Sequence, residues 1–112
     1  MARVSVEIGG VSLNGAGSAG GSSINGRCVY QEELVPSGTT ATMVTAVTAA
    51  QISAGANIAR IATDTDVYFA VGTSPDPTLT TSTGASSARR LLSAGSSIEQ
   101  VIAAGEKVAV HT

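Results

Sequence analysis

The chain has 112 residues, with eight acidic against six basic side chains, a net charge of -2 and an isoelectric point near 5.1. A chain of this length is one domain that buries roughly 65% of the surface its unfolded form exposes, and it has no room for a second. The weak negative balance is a poor basis for gripping a polyanion, one cysteine excludes an internal disulfide, and no run of about 18 apolar residues reads as a membrane span. Neither nucleic acid nor membrane is therefore an expected partner.

Hydrophobic residues make up 43% of the chain, but 18 of them are Ala and the only aromatics are Tyr30, Tyr68 and Phe69. Buried Ala contributes far less than the about 1.5–3 kcal/mol of a large aliphatic, so the core is thin and association with a partner surface is expected.

In chain order, Val4, Val6 and Ile8 alternate with Ser5 and Glu7, the period of a strand with one buried face. Asn14-Gly15 and Asn25-Gly26 suit tight turns, because Asn and Gly accept positive φ. Residues 15–20, GAGSAG, match G-x-G-x-x-G, with Glu32 or Glu33 available as a ribose acid. A dinucleotide site needs a helix to open there, and Gly21, Ser22, Ser23, Asn25 and Gly26 oppose one. Residues 14–23 read instead as a flexible Gly/Ser-rich arm or loop, ordered against a neighbour. Cys28 reads as a small buried hydrophobe at a strand position.

Residues 31–38 read as a strand end passing into a loop, and residues 39–47, TTATMVTAV, as a strand. Residues 48–55 suit a helical turn that Gly55 keeps short. Residues 57–77 read as a hairpin: Ala59 and Ile61 share one face, Val67, Phe69 and Val71 continue the alternation, and Asp64 and Asp66 flank the turn. With Asp76 these aspartates suggest an oxygen site for calcium, but no EF-hand spacing follows, and Asp at a turn ordinarily accepts from nearby backbone N–H groups. Residues 73–87, with Pro75 and Pro77, read as a long exposed loop. Arg90-Leu91-Leu92 is a short apolar run; residues 96–102 divide between a capped helix and a strand, with Ile98, Val101 and Ile102 favouring the strand. Lys107 to His111 closes the series as a strand with Val108 and Val110 inward.

About eight short strands at roughly ten-residue spacing, without a βαβ rhythm, predict an all-β fold: an antiparallel sandwich, jelly-roll-like. His111 stands next to the last residue, no G-x-S-x-G elbow supplies a nucleophile, and no paired-cysteine or phosphate-loop motif occurs, so no catalytic residue, cofactor or metal is expected.

The second half carries a further pattern: residues 59–63 (ARIAT), Asp64 or Asp66, residues 67–72 (VYFAVG), Pro75 or Pro77, residues 90–95 (RLLSAG) and residues 105–110 (GEKVAV). In order and spacing it resembles small virion proteins of tailed bacteriophages. The resemblance implies a β-sandwich accessory protein of the particle, a cement or decoration protein that associates with itself and clamps major capsid proteins. Its expected location is the capsid surface after synthesis in the host cytoplasm. Interface candidates on that reading are Arg89, Arg90, Gly15, Gly17, Gly20, Gly21, Pro75 and Pro77. The alternatives are a tail, fibre or head-to-tail joining component, or a carbohydrate-binding attachment module.

Overall fold

A computed structural model describes residues 2–10 and 28–112. Its eight strands and one short helix run in the order β1 (Val4–Gly9), β2 (Tyr30–Leu34), β3 (Ala41–Thr42), α1 (Ala49–Ser53), β4 (Ile58–Thr63), β5 (Val67–Gly72), β6 (Arg90–Leu92), β7 (Ser97–Val101) and β8 (Lys107–His111). They form two four-stranded antiparallel sheets, sheet A in the order β2-β1-β4-β7 and sheet B in the order β3-β8-β5-β6. The fold is an all-β sandwich.

Strand alternation explains how the sheets close on each other. Val4, Val6 and Ile8 of β1 and Ala59 and Ile61 of β4 meet Val67, Phe69 and Val71 of β5 and Val108 and Val110 of β8 in one buried cluster. Fully burying each large aliphatic contributes about 1.5–3 kcal/mol, and Phe69 is the largest enclosed side chain.

The pairing is nested. Outward from β5·β6 come β4·β7, β3·β8 and β2·β1, and successive pairs alternate between the sheets. This nesting overturns the predicted hairpin at residues 57–77. β4 and β5 belong to different sheets, so Asp64, Thr65 and Asp66 form an arch over the sandwich edge. Local alternation is the same for an arch and a hairpin, and only the long-range partners distinguish them.

Other differences have local causes. The strand expected over residues 39–47 is regular only at Ala41–Thr42. Met43 still bonds Val108 through its N–H (3.0 Å), the next N–H, of Val44, is taken on the open side of the strand by the Glu32 carboxylate (3.0 and 3.3 Å), and bonding back to the β8 side resumes only at Val47, whose N–H donates to the Glu106 carbonyl (3.1 Å). Cys28 is exposed rather than buried, because the β1·β2 ladder ends at the Ile8–Tyr30 pair and leaves it beyond the sheet. Its thiol donates to the Tyr30 carbonyl at 3.3 Å. Residues 97–101 are strand, as Ile98 and Val101 favoured. The helical turn is present too, opened by a Thr48–Gln51 capping box and closed by Gly55 at φ 94°. Asn14-Gly15, Asn25-Gly26 and the arm at 14–23 lie outside the described residues.

Candidate functional site

The predicted exposed loop is laid back onto the protein. β5 alternates, so Tyr68, Ala70 and Gly72 point away from the core, yet Ala70 and its partner Ala109 on β8 have no exposed surface. The reason is the chain between β5 and β6. A Cβ on Gly72 would fall inside the Ala85 carbonyl, so only glycine lets that backbone cross here. Ser87 donates its N–H to the Val71 carbonyl (2.8 Å) and accepts the Val71 N–H at its hydroxyl (2.9 Å). Buried Ser86 accepts the Asp76 N–H at 2.8 Å, and Ser74 donates to the Ala85 carbonyl at 2.9 Å. Ser86 and Ser87 thus fasten the loop through their side chains.

Pro77 is fully enclosed by this fold-back and Pro75 is half-buried, so Pro77 reaches a neighbour only if the loop opens. Asp76 accepts from the Thr78 hydroxyl (2.6 Å) and N–H (3.0 Å), the local turn predicted for it, and those bonds hold its carboxyl below the usual value. Asp64 and Asp66 behave differently. Asp64 accepts the Arg3 N–H at 2.8 Å and the Thr65 hydroxyl at 3.0 Å, which lowers its pKa, and Asp66 accepts the Ala94 N–H at 2.7 Å. Both therefore tie the arch to distant chain, the start of β1 and the β6–β7 turn. Among the described residues no three His, Cys, Asp or Glu side chains stand close enough to hold a metal ion, and no helix is long and apolar enough to cross a membrane.

The two adjacent arginines go to different places. Arg89 lies over the outward face of Tyr68, its guanidinium 4.2 Å from the ring centroid. Arg90, the first residue of β6, reaches across the sandwich edge to the Gln100 side chain on β7 at 3.4 Å. Neither has an ion-pair partner among the described residues, where the pairs are Arg3–Glu33 (3.9 Å) and Glu7–Arg60 (4.0 Å). Gly15, Gly17, Gly20 and Gly21 lie outside the described residues.

Sequence reasoning missed the opposite edge. There Glu32 accepts the Tyr30 hydroxyl (2.6 Å) as well as the Val44 N–H, so one carboxylate on β2 holds the segment that follows β3. Its acidic type was legible, but its place between the sheets depended on the topology. Compared with protein-family models, curated proteins and solved structures, the chain matches none.

Proposed function

We propose that this chain is a structural virion protein, a cement or decoration protein that binds the major capsid protein of a bacteriophage shell, associates with itself and stabilises the shell. On this reading it is not an enzyme, takes no cofactor, is made in the host cytoplasm and ends on the capsid surface. The jelly-roll part of the reading is supported by the nested pairing, in which β1 takes the place of a last strand beside β2.

One observation carries the reading: several residues of the phage-like pattern are among those that brace this sandwich. Asp64 and Asp66 tie down the arch, Gly72 admits the crossing loop, and Gly95 and Gly105 supply turns at φ 78° and 84°. A pattern spent on rigidity suits a protein whose work is contact. A shell under internal pressure is strengthened by a stiff body spanning a joint, since its contacts must break before the joint opens. Low charge density also reduces the desolvation cost of a wide interface. A sugar-binding role gains no support from Tyr68, whose ring face is occupied by Arg89.

The test is a reconstruction of the purified particle together with binding of the free protein to shells that lack it. Stoichiometric density on the capsid surface is the expected result; density confined to the tail, or none, overturns the proposal. Removing residues 14–23 is expected to leave the circular-dichroism spectrum unchanged and to weaken shell binding. Unchanged affinity would remove the arm from the interface.

A further inference from the structure

The large hydrophobic side chains left exposed among the described residues are not scattered. Val29, Val35 and Val44 flank or follow β2 and β3, whereas Leu91 and Val101 belong to β6 and β7. Those strands are the edges of the two sheets. The Glu32–Val44 bond places the β2 and β3 edges on one wall, and the Arg90–Gln100 bond places the β6 and β7 edges on the other. On each wall one charged side chain bridges the sheets, the Glu32 carboxylate on the first and the Arg90 guanidinium on the second, while Glu33 of β2 and Glu99 of β7 alternate with core-facing Leu34 and Ile98 and so lie toward the outer face of sheet A.

Backbone direction matches as well. Every neighbouring pair in both sheets is antiparallel and each sheet has four strands, so β2 and β7 run in opposite senses, as do β3 and β6. A second copy set alongside, turned about an axis parallel to the strands, presents β2 antiparallel to β7 and β3 antiparallel to β6. The ladder of β7 also faces the right way. Thr63 donates to the Ser96 carbonyl (3.2 Å) and Ile102 to the Asn57 carbonyl (2.9 Å), so the main-chain groups of Ser97 and Val101 turn away from β4. β7 is a five-residue edge without proline or lysine, two of the features that blunt such edges, and its one charged residue is Glu99.

We propose that copies of this chain join wall to wall, the β6/β7 edge of one against the β2/β3 edge of the next. Arg90 then meets Glu32 of the neighbouring copy, and Leu91 and Val101 meet the neighbour's valine-bearing wall. Strand addition supplies main-chain bonds, the valines and leucine supply apolar area, and the opposed charges fix the order of the walls. Because the two walls differ, a pair of copies leaves one of each open, and the joint runs on to a closed ring or a filament. This deepens the self-association contained in the proposed function and is tested without shells. A multimer that ignores shells defeats that function alone, and a strict monomer that binds shells defeats the joint alone.

The experiment is light scattering and sedimentation of the full chain up to about 100 μM, a hundredfold above a micromolar Kd. Species larger than a dimer are expected. Arg90→Glu and Glu32→Arg should each weaken association about tenfold or more, because each puts like charges at the joint. Mixing the two variants should restore assembly, since every unlike contact in the mixture is again opposite in charge. Glu32 also holds Val44, so Val44→Asp, at a side chain 79% exposed, provides a second reading of the same wall and should show the same loss. A monomer at every concentration, a symmetric dimer indifferent to Arg90→Glu, or a mixture no better than its parts would overturn the joint.

Discussion

On the outer face of sheet B, Ala70 and Ala109 sit opposite each other beneath the chain that links β5 to β6, without exposed surface. At a comparable place on sheet A, Ser5 and Ala62 also sit opposite each other and remain half-open. The pleat is the same and so are the small side chains. The difference is that sheet B has its own loop for a lid, while the outer face of sheet A carries polar side chains such as Gln31, Glu7 and Arg60 in register across three strands. Alternation states which way a side chain points from its strand; whether water lies in that direction is decided by chain many residues away.

The largest effect should come from a charge placed on each face. Ala70→Lys must bury an ammonium under the loop or lift the loop away, and is expected to cost about 3–5 kcal/mol in urea unfolding. Ala62→Lys, with an open path to solvent, should stay within about 1 kcal/mol of the parent. Equal costs would mean that the loop does not cover sheet B in solution.

A smaller effect separates two glycines of the same region. Gly72→Ala drives a Cβ into the Ala85 carbonyl, which backbone cannot yield without moving the whole crossing, and should cost about 1–3 kcal/mol. A Cβ on Gly84 would meet nothing within 4 Å, and the residue has no positive φ, so Gly84→Ala should be neutral or gain about 0.4–1 kcal/mol by restricting the unfolded chain. Denaturation midpoints of the two variants decide it, and a neutral Gly72→Ala would free the loop from the sheet.

What could be read in advance follows the same division. β1, β5 and β8 announce themselves by Val, Ile and Phe at every second position, because core burial acts on each residue singly. The arch at Asp64 to Asp66, the fold-back onto Gly72 and the clasp of Glu32 on Val44 had no such signature. Each joins groups far apart in sequence, and Asp, Ser and Gly serve equally well in an open turn. Of the interface candidates, Arg89 and Arg90 were legible as an adjacent pair of cations. Their separation, one over Tyr68 and one at the sandwich edge, came from strand alternation at β6 together with the nested pairing.

The smallest effect compares the two lowered carboxyls, Asp64 at the arch that starts from sheet A and Asp76 in the lid of sheet B. Asp64 is lowered mainly by the Arg3 N–H, Asp76 mainly by the Thr78 hydroxyl, and the ordinary value for both is 3.8. A carboxyl with a depressed folded pKa favours the fold fully above its unfolded value, and that contribution fades as pH falls through the folded value. Melting temperatures between about pH 5 and pH 2 should therefore decline with acid. Asp64→Asn and Asp76→Asn should each flatten the decline, modestly, because both groups face solvent and water screens them. Asp64 spans from the arch to the start of β1 whereas Asp76 closes a turn two residues long, so Asp64→Asn should flatten it more. A steeper acid response in either variant than in the parent would contradict the bonds assigned to that carboxylate.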